Sequence, residues 1–236
     1  MKDEIFPAKE GYDLVAEYYR DAKWQHLWSQ VERPFVVNWL KDIKKGSGID
    51  IGSGNGPYVN DMVKIGHSVV ALDISSRMIA ENKKNHRNCP KVSFVVDDIE
   101  HYNKIANRTF DWALCTRVLS NISKFESTIE IMANLVKVDG EILITDIHPE
   151  HTYNNTGFEI PRGTAKLATT KVKIETYKHP ISLLQSELDK YGFRGIYLKI
   201  LRFEDVEKHI DKTKFKKLYS TSKNGLLYIL RAVKIN

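Results

Sequence analysis

Between about residues 47 and 147 the chain alternates strand-like and helix-like segments, and this constrains the fold more than any other feature. Apolar runs rich in β-branched residues cover residues 46–52, 67–73, 91–96, 109–115 and 141–147. Segments with apolar residues three and four apart cover 57–65, 75–86 and 126–137. Alternation of this kind predicts parallel strands joined by right-handed crossovers in a doubly wound α/β sheet. The first 45 residues read as helical, with Leu14, Val15, Tyr18 and Tyr19, then Trp24, Leu27, Trp28 and Val31, at helical spacing. Residues 148–178 break the alternation and read as polar and irregular. A helix over 181–191 follows, ended by Gly192, and then two β-rich stretches, 193–203 and 226–233, flank a Lys-rich helical segment. Two late strands without a clean crossover predict an antiparallel end to the sheet.

Composition narrows the class. With 42% hydrophobic and 28% charged residues in 236, the chain reads as an ordinary soluble protein with a sizeable core. No apolar run approaches the roughly 18–20 residues needed to cross a bilayer, so no membrane association is expected. The opening residues lack the apolar stretch of a signal peptide. The two cysteines, Cys89 and Cys115, make neither a disulfide framework nor a zinc set, which is the cytoplasmic pattern. A net charge of +6 hints at nucleic acid, but the positive residues are mostly lysines scattered between acids. Solvated surface explains them better.

Chemistry concentrates in Asp50-Ile51-Gly52-Ser53-Gly54-Asn55-Gly56-Pro57, a glycine loop leaving one strand and opening a helix. Glycines here let the backbone turn tightly and let a ligand lie against it. At the end of the next strand stands Asp73, where a carboxylate can accept hydrogen bonds from a ribose diol. A dinucleotide would favour G-x-G-x-x-G, with a pyrophosphate at the helix N-terminus. This loop is G-x-G-x-G, and Asp50 two residues before it would repel a pyrophosphate but suit an ammonium group.

These residues resemble the first motif of class I S-adenosylmethionine (SAM)-dependent methyltransferases of the small-molecule type. The resemblance covers about residues 45–147 and implies a Rossmann-like, seven-stranded sheet with an antiparallel last strand. It divides a single domain into a helical cap (1–45), a SAM-binding core (46–147), a substrate-side insert after strand five (148–178) and a C-terminal part of the sheet (179–236). It implies that Asp50, Gly52, Gly54 and Gly56 hold the methionine end of SAM, that Asp73 holds the ribose hydroxyls, and that Ile74 beside it belongs to the same cofactor site. Met78 matches a residue that packs on adenine, while Asp98 and Ile99 match those that contact its edge. Cys115 and Arg117 fall at the strand-four end that lies under the sulfonium. Tyr19 is similar to an aromatic residue that closes over the cofactor. The expected cofactor is therefore SAM, with S-adenosylhomocysteine (SAH) as its product.

The acceptor is harder to read. Strand four ends Leu114-Cys115-Thr116-Arg117 and lacks the motif that grips nucleobase amino groups, which favours a small metabolite. An RNA or ribosome substrate is the less favoured alternative, and a SAM-binding regulator without catalysis is the third. A general base, where one is needed, is sought at the carboxyl edge of strand five and just beyond, in His148, His151, Tyr153 and His179. His148, Glu150 and His151 lack the helical scaffold of a metal site, and no metal is expected. The oligomeric state is not legible.

Overall fold

The computed structural model describes residues 4–101, 107–151, 158–162, 165–207 and 225–236. In chain order the first elements are β1 (Glu4–Phe6), α1 (Ala8–Tyr19), α2 (Lys23–Val31), α3 (Arg33–Asp42) and β2 (Ser47–Ile51). Next come α4 (Val59–Ile65), β3 (Ser68–Asp73), α5 (Ser76–Asn85), β4 (Val92–Val96), β5 (Phe110–Thr116), α6 (Phe125–Leu135) and β6 (Val136–Ile147). The chain continues through β7 (Phe158–Arg162), β8 (Ala165–Ile174), α7 (Ile181–Lys190), β9 (Phe193–Leu201), α8 (Phe203–Val206) and β10 (Leu227–Lys234).

Seven strands form the main sheet in the order β4-β3-β2-β5-β6-β10-β9. The first five run parallel, and β10 is antiparallel to both neighbours, as the late β-rich stretches predict. Strand β2 lies between β3 and β5, so the order reverses there, and the crevice beyond its carboxyl end is the favoured ligand position in such sheets. Helices cover both faces. Phe110, Phe125, Ile129, Met132, Leu184 and Leu188 pack on one side, with α6 and α7. Trp28, Trp39, Tyr58, Met62, Trp112 and Leu143 pack on the other, with α2, α3 and α4. A buried imidazole sits within this second layer: His67 accepts from the Trp112 indole at 3.1 Å and lies 2.9 Å from the Leu40 carbonyl.

The structure departs from the expected organisation at both flanks of the core. The stretch 148–178 is not simply irregular, because β7 and β8 form a hairpin and β1 adds to β8 in parallel, giving a sheet ordered β1-β8-β7. The alternation Lys171-Val172-Lys173-Ile174 carries the strand signal, and Val172 and Ile174 are buried where their lysine neighbours need not be. The expected all-helical opening likewise contains β1, whose three residues are too few for periodicity to reveal. Pro57, expected to begin a helix, instead sits in the turn before α4.

Candidate functional site

Beyond the carboxyl ends of β2, β3 and β5 lies a cleft of about 830 Å³, open to solvent at its mouth. Its floor is the glycine loop. Gly52 takes φ +66° and Gly54 φ +52°, the left-handed region that side chains rarely adopt. A methyl group on Gly52 would strike Val118, whereas Gly54 faces open space, with only the Tyr19 ring near. The loop is held from two sides. Ser53 N–H donates to the Leu72 carbonyl at 2.8 Å, and the wholly buried Asn82 of α5 donates to the Gly54 carbonyl at 3.2 Å.

Asp73 stands at the switch point and is 8% exposed. One carboxylate oxygen accepts from Gly54 N–H and the other from Ser75 N–H, each at 2.8 Å. Burial raises its pKa to about 6 against the pull of these two donors. A carboxylate oxygen offers two lone-pair directions, so each still has room for a ligand hydroxyl. Ile74, Met78, Asp98 and Ile99 line the same cleft, as do Tyr19 and Arg117. Asp98 is engaged locally, accepting from Glu100 N–H at 2.9 Å and lying 3.1 Å from the His101 ring.

Asp50 lies beneath the loop rather than in the lining, 1% exposed. Neither of its carboxylate oxygens has a hydrogen-bond partner among the described residues. Burial, with Asp73 nearby, lifts its pKa to about 8. A buried carboxyl in this state lacks the partner that would let it ionise. Gly56 and Cys115 do not line the cleft either. Gly56 is needed for packing, since a Cβ there would collide with Asn82 and His86. Cys115 is fully buried in the sheet, and burial pushes its thiol well above the ordinary range.

The imidazoles expected to act as a base are placed elsewhere. His179 Nε2 lies 2.8 Å from the Ile122 carbonyl, and its ring stacks on Phe125 at 4.4 Å, so it braces the cleft wall from behind. His148 and His151 are buried beside the start of β10, where His148 N–H donates to the Leu226 carbonyl. Burial lowers both, His151 to about 4. None of the three lines the cleft. Tyr153 lies outside the described residues.

Other residues reach the site without an obvious sequence signal. Ala8 and Tyr12 of α1 line the cleft beside Tyr19, and the two tyrosine rings meet edge to face at 5.9 Å. Tyr12 donates to Asn121 Oδ1 at 3.0 Å, and Asn121 Nδ2 donates to the Glu175 carbonyl at 2.8 Å. Arg117 has φ +58° and donates through Nε to Glu32 at 3.1 Å. Glu32, at the junction of α2 and α3, also accepts from Tyr58 and Thr145 hydroxyls, each at 2.5 Å. Only the capping pattern of Ser75, which accepts from Met78 N–H, was open to sequence reading.

The electrostatic sum decides what the cleft accepts. Four carboxylates line it, those of Asp73, Asp97, Asp98 and Glu100, with Asp50 below. The one lining guanidinium among the described residues, Arg117, is already paired with Glu32. A polar cation fits such a space, and an anionic pyrophosphate does not.

Comparison with known proteins agrees with this geometry. A family profile described as a methyltransferase domain matches residues 43–220, well over half of the chain. The chain belongs to the methyltransferase domain family. A malonyl-acyl-carrier protein O-methyltransferase of Halalkalibacterium halodurans is 23% identical over 186 residues, 76% of this chain and 66% of that relative. The chain thus spans just under two thirds of that relative's length. Among solved structures, phosphoethanolamine N-methyltransferase 2 of Haemonchus contortus in complex with SAM has a TM-score of 0.63 at 16% identity, covering 87% of this chain and 53% of that one. The (4+2)-cyclase SpnF has a TM-score of 0.66 at 15% identity and covers 98% of each chain. These likenesses establish the fold of the family member, with its seven strands and antiparallel last strand.

Proposed function

We propose that this chain is a SAM-dependent methyltransferase whose acceptor is an O, N or C atom of a small molecule. The observation that carries the reading is the unpartnered, buried Asp50 carboxyl below an otherwise acidic cleft. A positively charged ligand supplies the missing partner. SAM is such a ligand, and family membership and the relatives named above support it.

In this reading Asp73 receives the ribose hydroxyls on the free lone pairs of its two oxygens. Gly54 leaves room for the ligand to lie against the backbone, and Asp50 faces the ammonium group. Met78, Ile74 and Ile99 supply the apolar walls for the adenine, and Asp98 its polar edge. When bound, SAM supplies a methyl group already activated on a sulfonium, so the protein's task is to orient an acceptor and exclude water. Tyr12 and Tyr19 of α1 lie across the cleft and serve that exclusion. The cap and the β1-β8-β7 sheet act together as its cover.

Calorimetry with SAH and with NAD, followed by transfer of labelled methyl from SAM into fractionated extract, tests the reading. SAH is expected to bind, NAD is not, and label is expected in the small-molecule fraction. Label in RNA would favour the alternative substrate. SAH binding with no transfer to any fraction would favour a regulator or a different reaction.

A further inference from the structure

A second cavity opens behind the glycine loop, lined by basic rather than acidic side chains. It is a groove open to solvent, with about 1130 Å³ of space between the loop, α2 and the C-terminal ends of α1 and α5. Three arginines line it, Arg20, Arg33 and Arg117, together with His26 and His86, and no carboxylate does. Arg117 and Pro57 line both spaces, so the cavities meet at the end of β5.

The three arginines differ in what they have left to give. Arg33 is committed, with Nη2 at 2.6 Å from Asp61 and Nη1 donating to the Pro57 carbonyl at 2.8 Å. Arg117 uses Nε on Glu32, and Nη1 reaches Gln25 at a long 3.5 Å, so the far edge of its fork remains available. Arg20, at the end of α1, forms no ion pair with any described residue. The side-chain amides of Gln25, Asn55 and Asn60 add donors to the same wall, and Trp28 and Tyr58 add flat apolar surface.

We propose that this cavity receives the methyl acceptor, and that the acceptor carries an oxyanion, carboxylate or phosphate, gripped by Arg20 and Arg117. The proposal rests on the reading of the first cleft as the donor site. Four carboxylates in that cleft repel an anionic group, while the Arg20 guanidinium and the edge of Arg117 turned away from Glu32 attract one in the adjoining cavity. Two chambers of opposite sign, joined at a shared arginine, keep a cationic donor and an anionic acceptor in separate places and in one orientation.

The test uses the SAH-loaded protein, titrated by calorimetry with inorganic phosphate and, separately, with malonate. Wild type is compared with Arg20→Gln, a substitution at an exposed helix end that leaves the core untouched. The expected result is binding of one of the two anions to wild type, about tenfold weaker in Arg20→Gln, with SAH affinity unchanged. Whichever anion binds identifies the head group. The proposal is overturned if SAH binds but neither anion does, or if Arg20→Gln binds the anion as well as wild type. It is also overturned if Arg20→Gln loses SAH affinity, because the cavity then holds the donor's own carboxylate. Failure of SAH to bind wild type would instead remove the donor reading, and this proposal with it.

Discussion

Two carboxylates lie fully buried near the glycine loop, and the protein treats them in opposite ways. Glu32, where the cap helices meet the sheet, is wholly enclosed and accepts from Tyr58, Thr145 and Arg117. Asp50, in the central strand, is as deeply buried and accepts from no described residue. The first is a finished network that holds the Arg117 side chain, on a residue whose backbone is left-handed. The second is an unfinished one, with no hydrogen-bond partner among the described residues. Burial alone therefore does not mark a ligand site; what sets Asp50 apart is that its unpartnered carboxyl lies beneath the glycine loop and the acidic cleft.

The largest effect is expected on the finished side. Glu32→Ala leaves the Arg117 guanidinium buried and unpaired and removes the acceptor of two hydroxyls. Breaking a buried pair from one side costs about 3–5 kcal/mol, and denaturant unfolding should show a loss of that size. Glu32→Gln, which keeps an acceptor, should lose less. A loss in Glu32→Ala no greater than that of a surface substitution would mean that Glu32 and Asp50 are not so different.

Next comes ligand affinity on the unfinished side. Asp73→Ala removes two acceptors that face the cleft and is expected to weaken SAM by about 1–3 kcal/mol, measured by calorimetry. Unchanged affinity in a folded variant would remove the ribose from Asp73.

Asp50→Asn should act with opposite signs on stability and binding. An aspartate whose folded pKa is about 8 contributes stability below its ordinary unfolded value near 4. That contribution is lost progressively as pH rises toward 8, because the unfolded chain releases the proton first. Asn removes the titration. The ligand-free protein should gain roughly 1–3 kcal/mol at pH 7, the cost of protonating a group that is ionised in the unfolded chain less that of burying an unpaired amide. SAM should bind more weakly to the same variant. If Asp50 faces the ammonium group as proposed, the arriving cation ionises it, so binding to wild type at pH 7 should release a proton, detectable as a buffer-dependent binding enthalpy. Proton-neutral binding would show that no cation approaches Asp50.

Much of the unfinished side was legible in the sequence, and little of the finished side was. The alternation of strands and helices, the glycine loop and Asp73 are local patterns whose spacing follows from one βαβ unit. Asp50 is legible too, because an acid two residues before the first glycine suits an ammonium group and repels a pyrophosphate. Glu32 carried no such signal: its partners are 26, 85 and 113 residues away, and only the packed fold brings them together. The resemblance points to Tyr19 alone, whereas Tyr12 lines the cleft as well, a role that only the packing of α1 against the cleft wall reveals. The imidazoles of 148, 151 and 179 were attractive by chemistry and by proximity to a strand end. Proximity along the chain did not make them face the cleft: His179 turns to a backbone carbonyl, and His148 packs against the start of β10.

The smallest expected effect lies where the cap meets the cleft wall. Tyr12 donates to Asn121, and Asn121 in turn holds the chain just after β8, so one amide ties α1 to both the wall and the smaller sheet. Tyr12→Phe keeps the ring and its edge-to-face contact with Tyr19 but removes the donor. The loss should be about 0.5–1.5 kcal/mol, the scale of one neutral hydrogen bond. Because the bond joins two elements and stabilises neither internally, the cost should fall on local opening rather than on global unfolding. Amide exchange should therefore quicken in α1 and β8 while the amides of β2 and β5 keep their protection. SAM should restore the slow exchange of α1, since Tyr12 and Tyr19 both border its proposed place. Faster exchange spread evenly over the sheet would mean that the hydroxyl supports the whole fold, and that cap and core do not open separately.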